Sequence, residues 1–224
     1  MIKSILFTKK IDSTKIDSFL GNSIHFDIHN FLQIEFTNHA IIQKQINLKT
    51  KINLISSQNA VKAIENLEIN GDFFVVGKKT AEALKMQNRK ILAVENYAKD
   101  LYQNHLINLK STEIQFFCGD NRRDFLVEKL TQDQHQLTEI IAYQSIPNPI
   151  EINKIYDAYV FFSPLSFNTF LEKNTIREDK IIFSIGETTT NHIRTKIKNN
   201  IITAKEPLVE AVLEEIKRYQ DDKK

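Results

Sequence analysis

Two stretches of this chain, about half its length apart, follow one plan, and that repetition limits the folds open to it. In the first, Leu54-Ile55-Ser56-Ser57 leads into a helical pattern and then into Phe74-Val75-Val76-Gly77-Lys78-Lys79-Thr80. In the second, Phe161-Phe162-Ser163-Pro164 leads into a helical pattern and then into Phe183-Ser184-Ile185-Gly186-Glu187-Thr188-Thr189. Each copy is a strand ending in Ser, a helix, a strand ending in Gly-x-x-Thr and a second helix. A supersecondary unit that recurs in this way points to two duplicated lobes.

The remaining apolar runs extend the pattern. Ile2–Phe7, Ile52–Ile55, Phe73–Val76, Lys90–Val94, Ile114–Cys118, Tyr159–Phe162 and Ile181–Ile185 are short and nearly continuous in apolar residues. Strands of that kind are buried on both faces, as in a parallel sheet covered by helices. Helical patterns lie between them, at Asn59–Leu67, Thr80–Met86, Ala98–Leu109, Arg122–Leu130 and Thr189–Ile197. The alternation predicts an α/β fold of two similar doubly wound parallel-sheet lobes, joined by a two-stranded linker, with a cleft between them. Phe31–Phe36 and Thr138–Ile146 read as the extended linkers, the second closed by Pro147 and Pro149.

Composition removes several function classes. With 30 Lys and Arg against 28 Asp and Glu, the net charge is +2, and no basic stripe with interleaved aromatics suits a nucleic acid. No apolar run approaches the roughly 18 residues of a membrane span. The first ten residues lack the long apolar stretch and cleavage site of a signal peptide. A lone Cys118 excludes an internal disulfide, so a cytoplasmic location is expected. The five glycines form neither GxGxxG nor GxxxxGK[ST], which disfavours dinucleotide binding and phosphoryl transfer. His25 and His29 have i, i+4 spacing but no partner motif, so no metal is expected there.

Residues at strand ends carry the candidate chemistry. Ser57 and Ser163 each follow a strand and precede a helix, as N-caps do, and Pro164 takes the favoured first helical position. Thr80 and Thr189, with Gly77, Gly186 and Thr188 beside them, open the next helices. Together these form four seats where free N–H groups, hydroxyls and helix dipoles favour an anion. The plain alternative is that the hydroxyls only cap helices. Lys9, Lys10, Lys78 and Lys79 are weaker candidates, and Arg122 and Arg123 after Gly119-Asp120 are better ones. Tyr143, in the second linker, has a phenol able to donate to a leaving oxygen, and a tyrosine packed there for structure is an equal alternative. Cys118 has no base beside it and reads as a small buried hydrophobe. These residues define a two-lobed binder of a polyanion and leave the reaction open.

The same segments, in the same order, resemble the uroporphyrinogen-III synthase family. They are ILFTKK, LISSQNAVKAI, FFVVGKKTAEAL, AKDLYQNHL, IQFFCGDNRRDFLVEKL, IIAYQSIP, YVFFSPLSFNTFL, FSIGETTTNHI and EPLVEAVLEEI. The resemblance implies a discontinuous first lobe of residues 1–35 and 147–224, with a second lobe of 36–146. It also implies a cyclising hydro-lyase of haem biosynthesis, which closes the linear tetrapyrrole hydroxymethylbilane with inversion of its last ring and loss of water. The expectation is then a monomer that needs no cofactor, nucleic acid or membrane. Tyr143 matches the family's cleft tyrosine, while Ser57, Thr80, Ser163 and Thr189 match residues lining the cleft. Lys9-Lys10 departs from the family's frequent Arg-Pro, and a usual glycine is missing near Met86–Arg89. The rival reading is a non-catalytic binding or sensor module on the same plan.

Overall fold

The computed structural model describes residues 1–21, 24–122 and 124–223, and divides into two compact units. Unit 1 comprises Met1–Gln33 and Ile146–Lys224, and unit 2 comprises Ile34–Ser145. The chain begins in unit 1 with β1 (Ser4–Phe7), α1 (Ser13–Leu20) and β2 (His25–Ile28). It then runs through β3 (Leu32–Phe36), α2 (His39–Gln45), β4 (Ile52–Ile55), α3 (Gln58–Ala63) and β5 (Asp72–Val76). There follow α4 (Lys78–Met86), β6 (Ile91–Glu95), α5 (Ala98–Leu101), a π-helical turn at Tyr102–Leu106, β7 (Glu113–Gly119), α6 (Phe125–Gln132) and β8 (Gln136–Pro147). The return to unit 1 is made of β9 (Ala158–Phe161), α7 (Pro164–Leu171), β10 (Ile181–Ser184), α8 (Glu187–Arg194), β11 (Asn200–Thr203) and α9 (Val209–Asp221).

The strands form two separate sheets, ordered β11-β10-β9-β1-β2 in unit 1 and β3-β8-β7-β4-β5-β6 in unit 2. The pairs β1–β2, β1–β9, β9–β10 and β10–β11 are parallel, as are β4–β5, β4–β7, β5–β6 and β7–β8. The α/β class with parallel sheets is therefore as the apolar runs predict. Neighbouring residues of a central strand enter different cores, because side chains alternate across a sheet. On β4, Leu54 packs with Phe74, Phe116 and Leu126, while Ile55 packs with Val61, Val75 and Phe117. On β9, Val160 packs with Ile5 and Phe183, while Phe161 packs with Phe167 and Phe170.

The two sheets match strand for strand once one is permuted. In unit 2 the chain order β4, β5, β6, β7, β8 gives the spatial order β6-β5-β4-β7-β8. In unit 1 the order β9, β10, β11, then β1, β2 gives β11-β10-β9-β1-β2. The last strand–helix–strand of one unit thus corresponds to the first of the other. The repeat seen in sequence is one part of this larger correspondence.

Several local features differ from the sequence expectations. Thr138–Ile146 is more than a linker: it belongs to a twelve-residue strand paired with β7 along Glu113–Gly119. Its burial alternates, as suits a sheet member covered by β3 on its far side. The short strands β2 and β11 carry few apolar residues and stand at a sheet edge, so no continuous run marked them. Ala98–Leu109 breaks into one α-turn and the π-helical turn. The missing glycine after α4 has a simple replacement. Asn88 adopts φ 56° just past the helix, a left-handed conformation that Asn tolerates better than most residues.

Candidate functional site

Open parallel sheets bind ligands beyond the carboxyl ends of their strands, where the chain reverses its direction of travel across the sheet. In unit 2, β4 to β6 advance to one side and β7 to β8 to the other, so that point lies between β4 and β7. The residues just beyond these strands are Ser56 and Ser57 on one side, Gly119 and Asp120 on the other.

Ser57 has extended backbone (φ −147°) and caps α3, its Oγ accepting from the Asn59 N–H at 3.1 Å. Tyr143 reaches the same oxygen from β8. Its hydroxyl donates to Ser57 Oγ at 3.0 Å. The tyrosine lies opposite Gly119, just after a register shift between Cys118 and Gly119. Gly119 leaves room for the ring: a Cβ there would stand 2.5 Å from Tyr143 Cζ, 2.7 Å from Cε2 and 2.8 Å from Oη. The backbone is locked as well, with Asp120 N–H donating to Tyr143 O at 3.1 Å and Ser145 N–H donating to Asp120 Oδ1 at 3.0 Å. Burial holds the Tyr143 phenol above its ordinary pKa, so it is protonated at neutral pH. Residues from three elements therefore form one hydroxyl pair, able to donate a proton.

The other candidates near β7 are already engaged. Arg122 is gripped by Glu139 and Asp124, and the bond to Glu139 raises its pKa further. Two carboxylates offset its charge before any anion arrives. Arg123 lies outside the described residues. Cys118 is fully buried, and desolvation pushes its thiol up to about 12, which fits the reading as a packed hydrophobe.

At the second helix of each repeat the structure corrects the cap assignment. The caps of α4 and α8 are Gly77 and Gly186, and neither helix has a side-chain cap bond. Thr80 and Thr189 are the third helical residues, 5% and 2% exposed, while Lys78, Lys79, Glu187 and Thr188 face solvent. A glycine before the helix lets the chain turn without a side chain, and the threonines pack beneath that turn. Gly77 needs to be glycine, at φ 96°, whereas Gly186 is extended at φ 166°, and a Cβ there would meet nothing within 4 Å. Glu187 in the first turn of α8 places a negative charge at one of the expected anion seats.

In unit 1 the chain reverses between β9 and β1. Ser163 caps α7 there, accepting from Ser166 N–H at 3.0 Å, with Pro164 following. Thr8 is buried and donates to Val160 O at 2.7 Å, while the Lys9 ammonium lies 5.9 Å from the Phe162 ring centre. No tyrosine hydroxyl meets Ser163 in the bonds that the described residues show. His25 lies 3.3 Å from Asp27 Oδ2, and no cluster of three or more metal-ligating side chains occurs among the described residues.

Sequence reasoning missed Gly119 as part of the site, and also the Arg122–Glu139 pair. The only signal was a glycine at a strand end in a chain with five glycines. Its meaning depends on which residue of β8 lies opposite.

Comparison with known proteins places this geometry in context. A family model described as uroporphyrinogen-III synthase HemD matches residues 26–214. The fold is similar to uroporphyrinogen-III synthetase from Helicobacter pylori, with TM-score 0.68 and 14% identity over 97% of this chain and 100% of that one. It is also similar to a mutant uroporphyrinogen III synthase from Thermus thermophilus, with TM-score 0.66 and 12% identity over 98% of this chain and 99% of that one. A search of curated protein sequences gave no match. At such identities the structural likeness speaks for the fold, and the family match speaks for the family.

Proposed function

We propose that this chain, which belongs to the uroporphyrinogen-III synthase family, cyclises hydroxymethylbilane to the ring-inverted uroporphyrinogen, releasing water. It is an enzyme of tetrapyrrole biosynthesis, and the family match over residues 26–214 is the observation that carries this reading. Loss of the terminal hydroxyl gives an electrophilic azafulvene. The substituted carbon of the terminal ring attacks it, and the resulting spiro intermediate reopens and closes inverted. Most of the protein's contribution is proximity and orientation, because unguided closure occurs at the less hindered carbon. Tyr143 assists loss of the hydroxyl as a protonated phenol. The acetate and propionate arms meet the helix starts at Gly77–Thr80 and Gly186–Thr189, together with Ser57 and Ser163. Their donors are backbone N–H groups fixed by the fold, which lose little entropy on binding. The burial of Thr80 and Thr189 supports a role in fixing those turns. Arg122 contributes only if a substrate carboxylate competes with Glu139 and Asp124.

The protein works as a monomer in the cytoplasm without a cofactor. Among the described residues no helix is long and apolar enough to cross a membrane. Incubating purified, chelator-treated protein with fresh hydroxymethylbilane and separating the isomers tests the whole reading. The inverted isomer should dominate. Uninverted product alone, formed at the spontaneous rate, excludes the enzyme and leaves the binding-module alternative.

A further inference from the structure

We propose that Ser57 is the group that protonates the leaving hydroxyl, with Tyr143 behind it as the proton source and Gly119 as the residue that positions Tyr143. This deepens the reading above and rests on it. A hydroxyl oxygen has two acceptor lone pairs and one hydrogen. Ser57 Oγ accepts from Asn59 N–H at 3.1 Å and from Tyr143 O–H at 3.0 Å. Both lone pairs are taken, and donation is the one function left to that oxygen. Accepting two bonds polarises it and makes its own hydrogen a stronger donor. Tyr143 has a single hydrogen, and in this arrangement Ser57 receives it. The tyrosine therefore reaches substrate through the serine.

The position suits this role. Ser57 is half-buried just beyond β4, at the point in the unit 2 sheet where the chain reverses direction and open sheets admit their ligands. Tyr143 is held there by the absence of a side chain at Gly119, where a Cβ would lie within 2.8 Å of three ring and hydroxyl atoms. Three residues, in or just beyond the neighbouring strands β4, β7 and β8, thus make one donor.

The proton balance closes over one turnover. The pyrrole nitrogen's electron pair expels the hydroxyl as its C–O bond breaks. The departing oxygen takes the Ser57 proton and leaves as water, while Ser57 takes the Tyr143 proton. A phenolate then faces a cationic azafulvenium, and the attraction of the two charges offsets the cost of a buried phenolate. After attack and rearrangement, the proton released as the last pyrrole regains aromaticity returns through Ser57 to Tyr143. One water leaves, and the pair ends as it began.

The test compares Ser57→Ala, Tyr143→Phe, Gly119→Ala and the Ser57→Ala/Tyr143→Phe double variant. Turnover, KM, isomer ratio and a proton inventory in mixed light and heavy water are read for each. If the pair acts as a unit, Ser57→Ala and Tyr143→Phe each lower kcat by roughly 10²–10⁴-fold, the range of general acid help. The double variant is then no slower than the worse single one, as for groups that act together. The wild-type inventory is curved, for two protons in motion, and becomes linear in Tyr143→Phe and Gly119→Ala. Ser57→Thr keeps both the hydroxyl and the cap, and retains most of the rate. Melting curves separate loss of the α3 cap from loss of the donor. Additive losses, a linear wild-type inventory, or a Ser57→Ala variant near wild-type rate would overturn the relay. Wild-type protein that makes only uninverted product fails the earlier reading instead, so the two failures are distinguishable.

Discussion

The two places where the chain reverses across its sheets share a topology and differ in chemistry. Beyond β4 and β7, Ser57 holds the Tyr143 hydroxyl, and Gly119 has no side chain to obstruct the ring. Beyond β9 and β1, Ser163 caps its helix and Thr8 donates to the Val160 carbonyl inside the unit. There the exposed Lys9 ammonium lies near the face of the half-buried Phe162. The two units share a scaffold in permuted order, and the tyrosine–serine hydroxyl pair lies in unit 2. Under the proposed function the asymmetry suits a substrate with a single reacting end, because the hydroxyl pair belongs to unit 2.

Removing the hydroxyl from each side puts the greatest strain on this contrast. Tyr143→Phe should slow turnover by roughly 10²–10⁴-fold while the inverted isomer stays dominant. Ser163→Ala should leave turnover within about tenfold and mainly cost about 1 kcal/mol of stability as a lost cap. Steady-state rates and melting curves of both variants decide it. Equal rate losses would mean that both units carry chemistry.

The paired glycines give a smaller effect. Gly77→Ala forces a side chain into a positive-φ conformation and should cost about 1–3 kcal/mol of stability. Gly186→Ala meets open space in an extended conformation, and its melting temperature should not move. If product titration shows that Gly186→Ala still binds less tightly, close approach of the ligand is the reason for the glycine.

Next come the buried threonines. Thr80→Val and Thr189→Val keep the side-chain shape and remove a hydroxyl from each unit. Each should weaken product binding by about 1–2 kcal/mol, more than Lys78→Ala does, if the turns they support hold carboxylates. A loss of stability with unchanged affinity would confine both residues to structure. A larger defect in Lys78→Ala would shift the anion contacts to exposed charge.

The smallest effect lies on the edge strand of unit 1. Tyr156 donates to Asp27 at 2.7 Å and Lys154 at 2.9 Å, and these bonds, the tyrosine's first, lower the carboxyl pKa to about 2. A depressed acid stabilises the fold above its unfolded pKa, and that contribution fades as pH falls toward the folded value. Asp27→Asn should therefore cost about 1 kcal/mol at pH 7, after allowance for solvent screening, and almost nothing near pH 2. Denaturant titrations at the two pH values measure the difference. A cost that does not change with pH would show that the amide is lost to packing rather than charge.

Much of the fold was legible in the residues themselves. Continuous apolar runs mark β4, β5, β9 and β10, because strands buried on both faces need apolar residues at every position. The edge strands β2 and β11 lack that signal, since half their surface faces water. Ser57 and Ser163 were readable as caps because a cap bond spans only two or three residues. The Gly-x-x-Thr turns were visible too, although the threonine's depth below the glycine was not.

Patterns within contiguous segments were enough to point to the α/β class, the repeated half-units and a resemblance to the family. What remained needed the folded chain. The permuted match between units depends on which strands become neighbours: β1 lies beside β9 although more than half the chain separates them. The hydroxyl pair depends on a register shift at Cys118/Gly119 that brings Tyr143 opposite a residue with no side chain to obstruct its ring. Arg122 was visible as a cation, but only the pairing of β7 with β8 brings Glu139 to it. Local periodicity encodes burial and secondary structure, whereas proton chemistry needs atoms from distant segments within about 3 Å of one another, and only packing of the sheet sets that distance.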